Sequence, residues 1–247
     1  MNSKIRIYLK NLFYRDLFTL PVFNFAISQL RYTYFTRFNK KYISEYSDAK
    51  KEIKLFDYSK NAVYSNRIIR PMKRTQLPLD LARVLSWPHL NEKKLLIVGP
   101  RFEFDLLYLR GLGFNKKNIH SIDLFSYSPL IEVNDAHDIK APDDSFDLII
   151  LSWVLVYSFN QEKMLKEIRS KISDKGKVII TGDYSNINNL DNGDNDYVLN
   201  SDYIWNKWNN SDDKILAKLD GQNLDSVPSE ITLLALEVHK SQGTNSK

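Results

Sequence analysis

No cysteine occurs in the 247 residues, which excludes disulfides, thiolate metal sites and a cysteine nucleophile and suits a reducing, cytoplasmic setting. Histidine is almost as scarce. His89, His120, His137 and His239 are scattered with no HxxH spacing, so no metal site is expected. Long apolar runs are missing too: no uncharged stretch exceeds 14 residues, the length of Leu17 to Leu30, which contains Pro21, against the roughly 20 that span a bilayer. Lys4, Arg6, Lys10, Arg15 and Asp16 interrupt the opening segment, and no small-residue cleavage pattern follows, so it does not read as a cleavable signal. No GxGxxG follows a strand, which argues against a nicotinamide-dependent oxidoreductase.

What is present is sharply divided by charge. Residues 1–74 hold 16 Lys or Arg against 5 Asp or Glu, and residues 75–247 hold 19 against 25. The expected organisation is therefore a basic, aromatic, helical N-terminal extension (1–74) before one domain (75–247). The chain is long enough for one α/β domain of about 150–200 residues plus an appendage. Residues 1–46 carry 12 Phe or Tyr among the basic side chains, and Ile5, Leu9, Leu12, Phe13 and Leu17 approximate a helical stripe that Pro21 should break or restart. Such a segment fits contact with an anionic membrane surface. It fits equally a solvated arm packed on its own domain.

From residue 93 short apolar runs alternate with helical segments, the pattern of parallel strands joined by crossovers in a doubly wound α/β sheet. The runs are Lys94 to Gly99, Asn118 to Leu124, a short Glu132 to Asp135, Phe146 to Trp153 and Lys177 to Thr181. Residues 103–112 read as a helix stopped by Gly111 and Gly113. Asn160 reads as the cap of a second helix reaching Ile172, with Glu162/Lys166 and Glu167/Lys171 at i,i+4 on its exposed side. A further helix is expected around Asp212 to Leu219. Ile231 to His239 is expected as a last strand inserted antiparallel at the sheet edge.

The first strand ends in Leu95-Leu96-Ile97-Val98-Gly99-Pro100-Arg101, the second in Asp123, and Asp135-Ala136-His137-Asp138 precedes Ala141-Pro142-Asp143-Asp144-Ser145-Phe146-Asp147. Over residues 93–184 this order resembles the class I, Rossmann-like S-adenosylmethionine-dependent methyltransferases. The segments VGPRFEFD and IDLFSYSPLIEVNDAHD resemble a methyltransferase-like group with a VGPR-type first turn rather than the commonest branch. The resemblance implies S-adenosyl-L-methionine as cofactor. It places Gly99, Pro100 and Arg101 beneath the methionine moiety, Asp123 and Leu124 at the ribose, Asp135 and Ala136 by the adenine, and Trp153 after the fourth strand on the acceptor side. The physical logic agrees: such cofactors bind at the carboxyl ends of parallel strands, at the switch point, and one carboxylate can accept from two hydroxyls.

The first turn departs from that family's Gly-x-Gly-x-Gly, because Arg101 and Glu103 stand at the second and third glycine positions. Either Arg101 pairs with the cofactor carboxylate and Glu103 or Asp105 with its ammonium, or Arg101 and Glu103 form an internal ion pair that closes the turn. Asp123 could instead cap a turn. His137 is the candidate general base, although a lone loop histidine is more often structural. Asp183, at the end of the fifth strand beside Tyr184, is the second catalytic candidate. Tyr127 could stack on the adenosine or anchor packing.

Two functions follow from the resemblance. One is methyl transfer to a small molecule or glycan; the other is a catalytically silent methyltransferase-like binding or scaffold protein, favoured by the glycine-poor turn. A nucleic-acid substrate is disfavoured despite the basic arm, because SWVLVYS stands where such enzymes carry an NPPY-like motif and the cofactor domain is itself acidic.

Overall fold

The computed structural model describes residues 20–46, 73–100, 102–183, 200–208, 210–222 and 230–240. Helix α1 (Pro21–Thr33) starts with proline inside its first turn, where the missing N–H costs nothing and the fixed φ is already helical. It runs into a π-helical turn (Tyr34–Phe38) and then β1 (Ser44–Glu45). The stripe expected over residues 5–17 lies outside the described residues.

The elements that follow are helix α2 (Lys73–Ser86), β2 (Leu95–Val98), α3 (Glu103–Leu112), β3 (Ile119–Asp123), β4 (Phe125–Ser126), β5 (Glu132–Val133), β6 (Phe146–Ser152), α4 (Gln161–Lys171), β7 (Ile172–Asp183), α5 (Ser201–Trp208), β8 (Lys214–Gln222) and β9 (Ile231–Glu237). Seven strands form one sheet in the order β5-β3-β2-β6-β7-β9-β8. The pairs from β5 through β7 are parallel, and β9 is antiparallel to both β7 and β8. The chain leaves β2 toward β3 on one side and returns to β6 on the other, so the switch point lies at the carboxyl ends of β2 and β6.

Each central strand sends alternate side chains to two cores. Leu95, Ile97, Leu148, Ile150, Leu233 and Ala235 face the core shared with Leu79 of α2 and Leu106 and Leu109 of α3. Leu96, Val98, Ile149, Leu151, Leu234 and Leu236 face the core built on Met164, Leu165 and Ile168 of α4 and Ile204 of α5. A strand covered on both faces must be apolar at every position, hence the unbroken runs; each full burial of a Leu or Ile contributes roughly 1.5–3 kcal/mol.

Two expectations fail at the far side of the sheet. Residues 214–222 form a strand, not a helix, although Ile215, Leu216 and Leu219 carry helix-like spacing; pairing along β9 outweighs that local pattern. The last strand is not the edge. Every residue from Ile231 to Leu236 is buried, which requires a neighbour on each side, and the more polar β8 takes the edge.

Local signals fare better. Asn160 caps α4, its side chain accepting from Lys163 N at 3.0 Å. Gly113 ends α3 in the left-handed conformation with φ 114°. Of the two expected pairs on α4, Lys171 reaches Glu167 at 3.3 Å, whereas Glu162 is engaged by Lys207 of α5 at 2.9 Å.

Residues 20–46 dock on the domain. Asn24 Nδ2 donates to Phe104 O at 3.1 Å, and Arg31 Nη2 donates to Glu103 Oε1 at 2.9 Å. Strand β1 pairs antiparallel with β4, and Tyr46 N donates to Leu124 O at 2.9 Å. The described front segment thus lies against the first turn of α3 and the exit of β3.

Candidate functional site

The turn after β2 is set by one glycine. Gly99 has φ +72°, and a Cβ there would fall 1.9 Å from Val154 Cγ1, in the segment following β6. No side chain fits, so the backbones leaving β2 and β6 approach closely at the switch point. Gly99 N donates to Ile122 O at 2.9 Å, tying the turn to β3. Pro100 is buried. Arg101 lies outside the described residues, as does Tyr184.

Asp123 ends β3 half-buried, with Oδ1 accepting from Phe125 N at 3.3 Å. Burial pushes its carboxyl up to about 7, against the lowering by the Phe125 and Leu124 N–H groups. Asp105, in the first turn of α3, is likewise pushed to about 7 by burial. Two carboxyls that resist ionisation are suited to donors or a cation arriving with a ligand. Asn134, next to the expected adenine contacts, has a buried Oδ1 with no hydrogen-bond partner, an unmet acceptor beside Asp135 and the buried Ala136.

The loops after β5 and β6 meet through His137. Asp135 Oδ1 accepts from His137 N at 2.8 Å and lies 2.6 Å from Nδ1; Nε2 lies 2.7 Å from Ser158 Oγ. The ring is buried and stacks on Phe159 with centroids 4.1 Å apart. Burial alone would raise the Asp135 carboxyl, but the ring and backbone hydrogen bonds from His137 outweigh it and hold it below its ordinary value. This Nδ1 contact fixes Nδ1 as the protonated nitrogen and leaves Nε2 to accept from Ser158.

At the end of β6, Trp153 adopts φ 58°, a left-handed conformation costly for a bulky residue. Its indole donates to Asp183 Oδ1 at 3.1 Å across the ends of β6 and β7. Asp183 is exposed. Tyr157 is also exposed, as the last residue of the short 3-10 turn Leu155–Tyr157.

Glu103 requires a correction. Its carboxylate does not lie open to a ligand: it is fully buried, Arg31 holds it through both Nε and Nη2, and Ser128 Oγ donates to Oε1. A carboxylate removed from water needs such partners, and helix α1 supplies the charge. Tyr127 is the packing anchor rather than a stacking platform. It is buried, its hydroxyl accepts from Glu103 N at 3.1 Å at the start of α3, and its ring meets Tyr32 edge-on at 5.2 Å.

The structure therefore brings Gly99, Asp123, Asp135, Ala136, Trp153 and Asp183 to one edge of the sheet and moves Glu103 into the seam with α1. Sequence reasoning missed Arg31, Ser128, Val154 and Ser158. Only Ser158 had a local signal, as a hydroxyl just ahead of the Asn160 cap.

Residues 110–180 match the family model of a methyltransferase domain. Among solved structures, the chain is similar to the [4+2]-cyclase SpnF, at 12% identity over 66% of this chain and 81% of that one, with a TM-score of 0.50. It is similar to a protein solved in work on the conversion of a disulfide bond into a thioacetal group during echinomycin biosynthesis, at 14% identity over 74% and 92%, with a TM-score of 0.53. A chain from the complex of the Haloferax volcanii Trm112 methyltransferase activator with a methyltransferase matches at 11% identity over 68% and 91%, with a TM-score of 0.51. No curated protein matches the sequence. These identities speak for the fold alone.

Proposed function

We propose that this chain, whose residues 110–180 match a methyltransferase-domain model, is a class I S-adenosylmethionine-dependent methyltransferase that binds S-adenosyl-L-methionine at the carboxyl edge of its sheet and methylates a small molecule or glycan. The observation that carries the reading is Asp123, half-buried at the end of β3 with its carboxyl raised to about 7, beside a turn that only glycine can make.

The residues fit the cofactor. Asp123 would accept from the ribose hydroxyls, with Leu124 alongside. Asp135, Ala136 and the unmet Asn134 Oδ1 would face the adenine amine. Gly99, Pro100 and Arg101 would form the floor at the methionine end, the Arg101 guanidinium forking onto a carboxylate. Asp105 takes over the ammonium role that Glu103 cannot fill.

When bound, the cofactor supplies an electrophilic methyl group on sulfonium, so the protein contributes position and a proton acceptor. An acceptor hydroxyl taking the place of Ser158 at His137 Nε2 would give its proton to that nitrogen, and Asp135 would hold the resulting imidazolium. Trp153 and Asp183 would line the acceptor side.

The second reading, a catalytically silent scaffold, is favoured by one observation: the first residue of α3 is committed to Arg31 and Ser128. Calorimetric titration with S-adenosylmethionine separates the two. We expect saturable binding that Asp123→Ala weakens by about 1–3 kcal/mol. Absence of binding by the wild type favours the scaffold, and unchanged affinity in a folded Asp123→Ala variant removes Asp123 from the site.

A further inference from the structure

Helix α1 presents apolar side chains on two faces: Phe25 and Tyr32, with Phe35 of the π-helical turn, pack on the domain core. Its polar residues Asn24 and Ser28 are fully buried against the domain, Asn24 donating to Phe104 O and Ser28 bonded to Asn24. A second apolar set points outward: Val22 is 80% exposed, Leu30 67% and Phe38 78%. Ala26 and Tyr34 are exposed between them, so the stripe recurs every four residues from Val22 to Phe38. The π-helical turn extends it, because Asn39 N donating to Tyr34 O closes a wider turn that keeps Tyr34 and Phe38 near one face. A helix that is already anchored on its inner face and leaves a further contiguous apolar face outside has an apolar partner.

Charge identifies that partner. Arg37, Lys40 and Lys41 are all exposed at the Phe38 end of the stripe, and Lys41 Nζ lies 4.8 Å from the Tyr42 ring centroid. The only acidic residue between 20 and 46 is Glu45. Apolar and aromatic side chains flanked by cations match the boundary between acyl chains and anionic headgroups. Two copies meeting through this face with their helices parallel would bring their basic ends together, which like-charge repulsion opposes. No helix among the described residues is long and apolar enough to cross a membrane, so contact would be in the plane of the surface.

We infer that Val22, Ala26, Leu30, Tyr34 and Phe38, with Arg37, Lys40 and Lys41, form a docking face for an anionic lipid bilayer. The inference does not depend on methyl transfer, since it concerns the outer face of α1 and not the sheet edge.

The test is co-sedimentation of the full chain with phosphatidylcholine vesicles, with and without phosphatidylglycerol, at low salt. Wild type should bind only the anionic vesicles and lose binding as salt rises. Lys40→Gln and Lys41→Gln should each weaken it by about fivefold. Leu30→Ser with Phe38→Ser should weaken it by about a hundredfold, while the thermal midpoint stays at the wild-type value because both side chains are exposed.

Failure of the wild type to bind anionic vesicles overturns the inference. So does unchanged binding by the Leu30→Ser, Phe38→Ser variant, including the case in which deletion of residues 1–19 is what abolishes it. Light scattering after gel filtration adds one more outcome: a wild-type dimer that the double variant dissolves would make a second copy the occupant, and the lipid inference would fall.

Discussion

Replacing Gly99 by alanine tests the architecture of the switch point directly. Two costs are separable. The backbone has φ +72°, and holding an L-residue in the left-handed region costs roughly 1–2 kcal/mol. The new Cβ would also lie 1.9 Å from Val154 Cγ1, an overlap that must be relieved by moving Val154 or the turn; overpacking of this kind costs about 1–3 kcal/mol. Gly99→Ala should therefore destabilise the fold by about 2–5 kcal/mol, a large share of a domain's stability. Val154→Ala removes the offending methyl and leaves Val154 Cβ at 3.4 Å, ordinary contact. Alone it should cost about 1–2 kcal/mol for lost packing. In the double variant only the backbone cost and that packing loss remain, so the two substitutions should couple favourably by about 1–3 kcal/mol. Urea unfolding of the four proteins of this cycle, followed by fluorescence, measures the coupling. A Gly99→Ala protein within about 0.5 kcal/mol of wild type, or a cycle with no favourable coupling, refutes the reasoning.

Arg31→Met should destabilise by about 2–4 kcal/mol, because it takes the bidentate guanidinium from the buried Glu103 carboxylate; the loss should shrink in a Glu103→Gln background, and equal losses in both backgrounds would show that the pair's charge is not what matters. The raised Asp105 and Asp123 carboxyls mean that the folded, ligand-free chain binds more protons than the unfolded chain between their ordinary values near 4 and about 7. Their contribution is therefore fully present below about pH 4 and lost as pH rises through about 7, so the slope of stability against pH across that window should become less negative in Asp123→Asn; unfolding free energies at a series of pH values, with an unchanged slope in the variant, would contradict the burial of Asp123.

Much of this fold is written locally. Strands β2 and β6 are continuous apolar runs because both faces are covered, and α4 declares itself through Asn160 and the spacing of Met164, Leu165 and Ile168. The errors fall where a distant partner decides. Lys214 to Gln222 carries helix-like spacing and becomes a strand because β9 offers an edge to pair with. The site divides the same way. The places of Asp123 at the end of β3 and of Asp135 just after β5 were legible from the apolar runs that precede them. Glu103 was misassigned because its partner, Arg31, lies 72 residues away on a helix whose docking no periodicity announces. Gly99 was legible as a glycine, but the reason it must be one is Val154, on another strand's exit.

Fold alone leaves the reaction open, since a [4+2]-cyclase shares it; what particularises this chain is how α1 joins its outer surface to the sheet edge. The inner face of α1 donates to Phe104 O and to the Glu103 carboxylate, the first two residues of α3. Those residues begin where the turn from Gly99 ends, and Glu103 N is itself held by Tyr127. Lifting α1 would take the Arg31 guanidinium from a buried carboxylate and the Asn24 donor from Phe104 O. The helix is therefore fixed from beneath by the groups that shape the start of α3, and its apolar stripe is presented as a rigid face rather than on a loose tether. A ligand ordering the turn and a surface ordering α1 would act on the same hydrogen bonds, so their binding free energies would be linked with one sign for both.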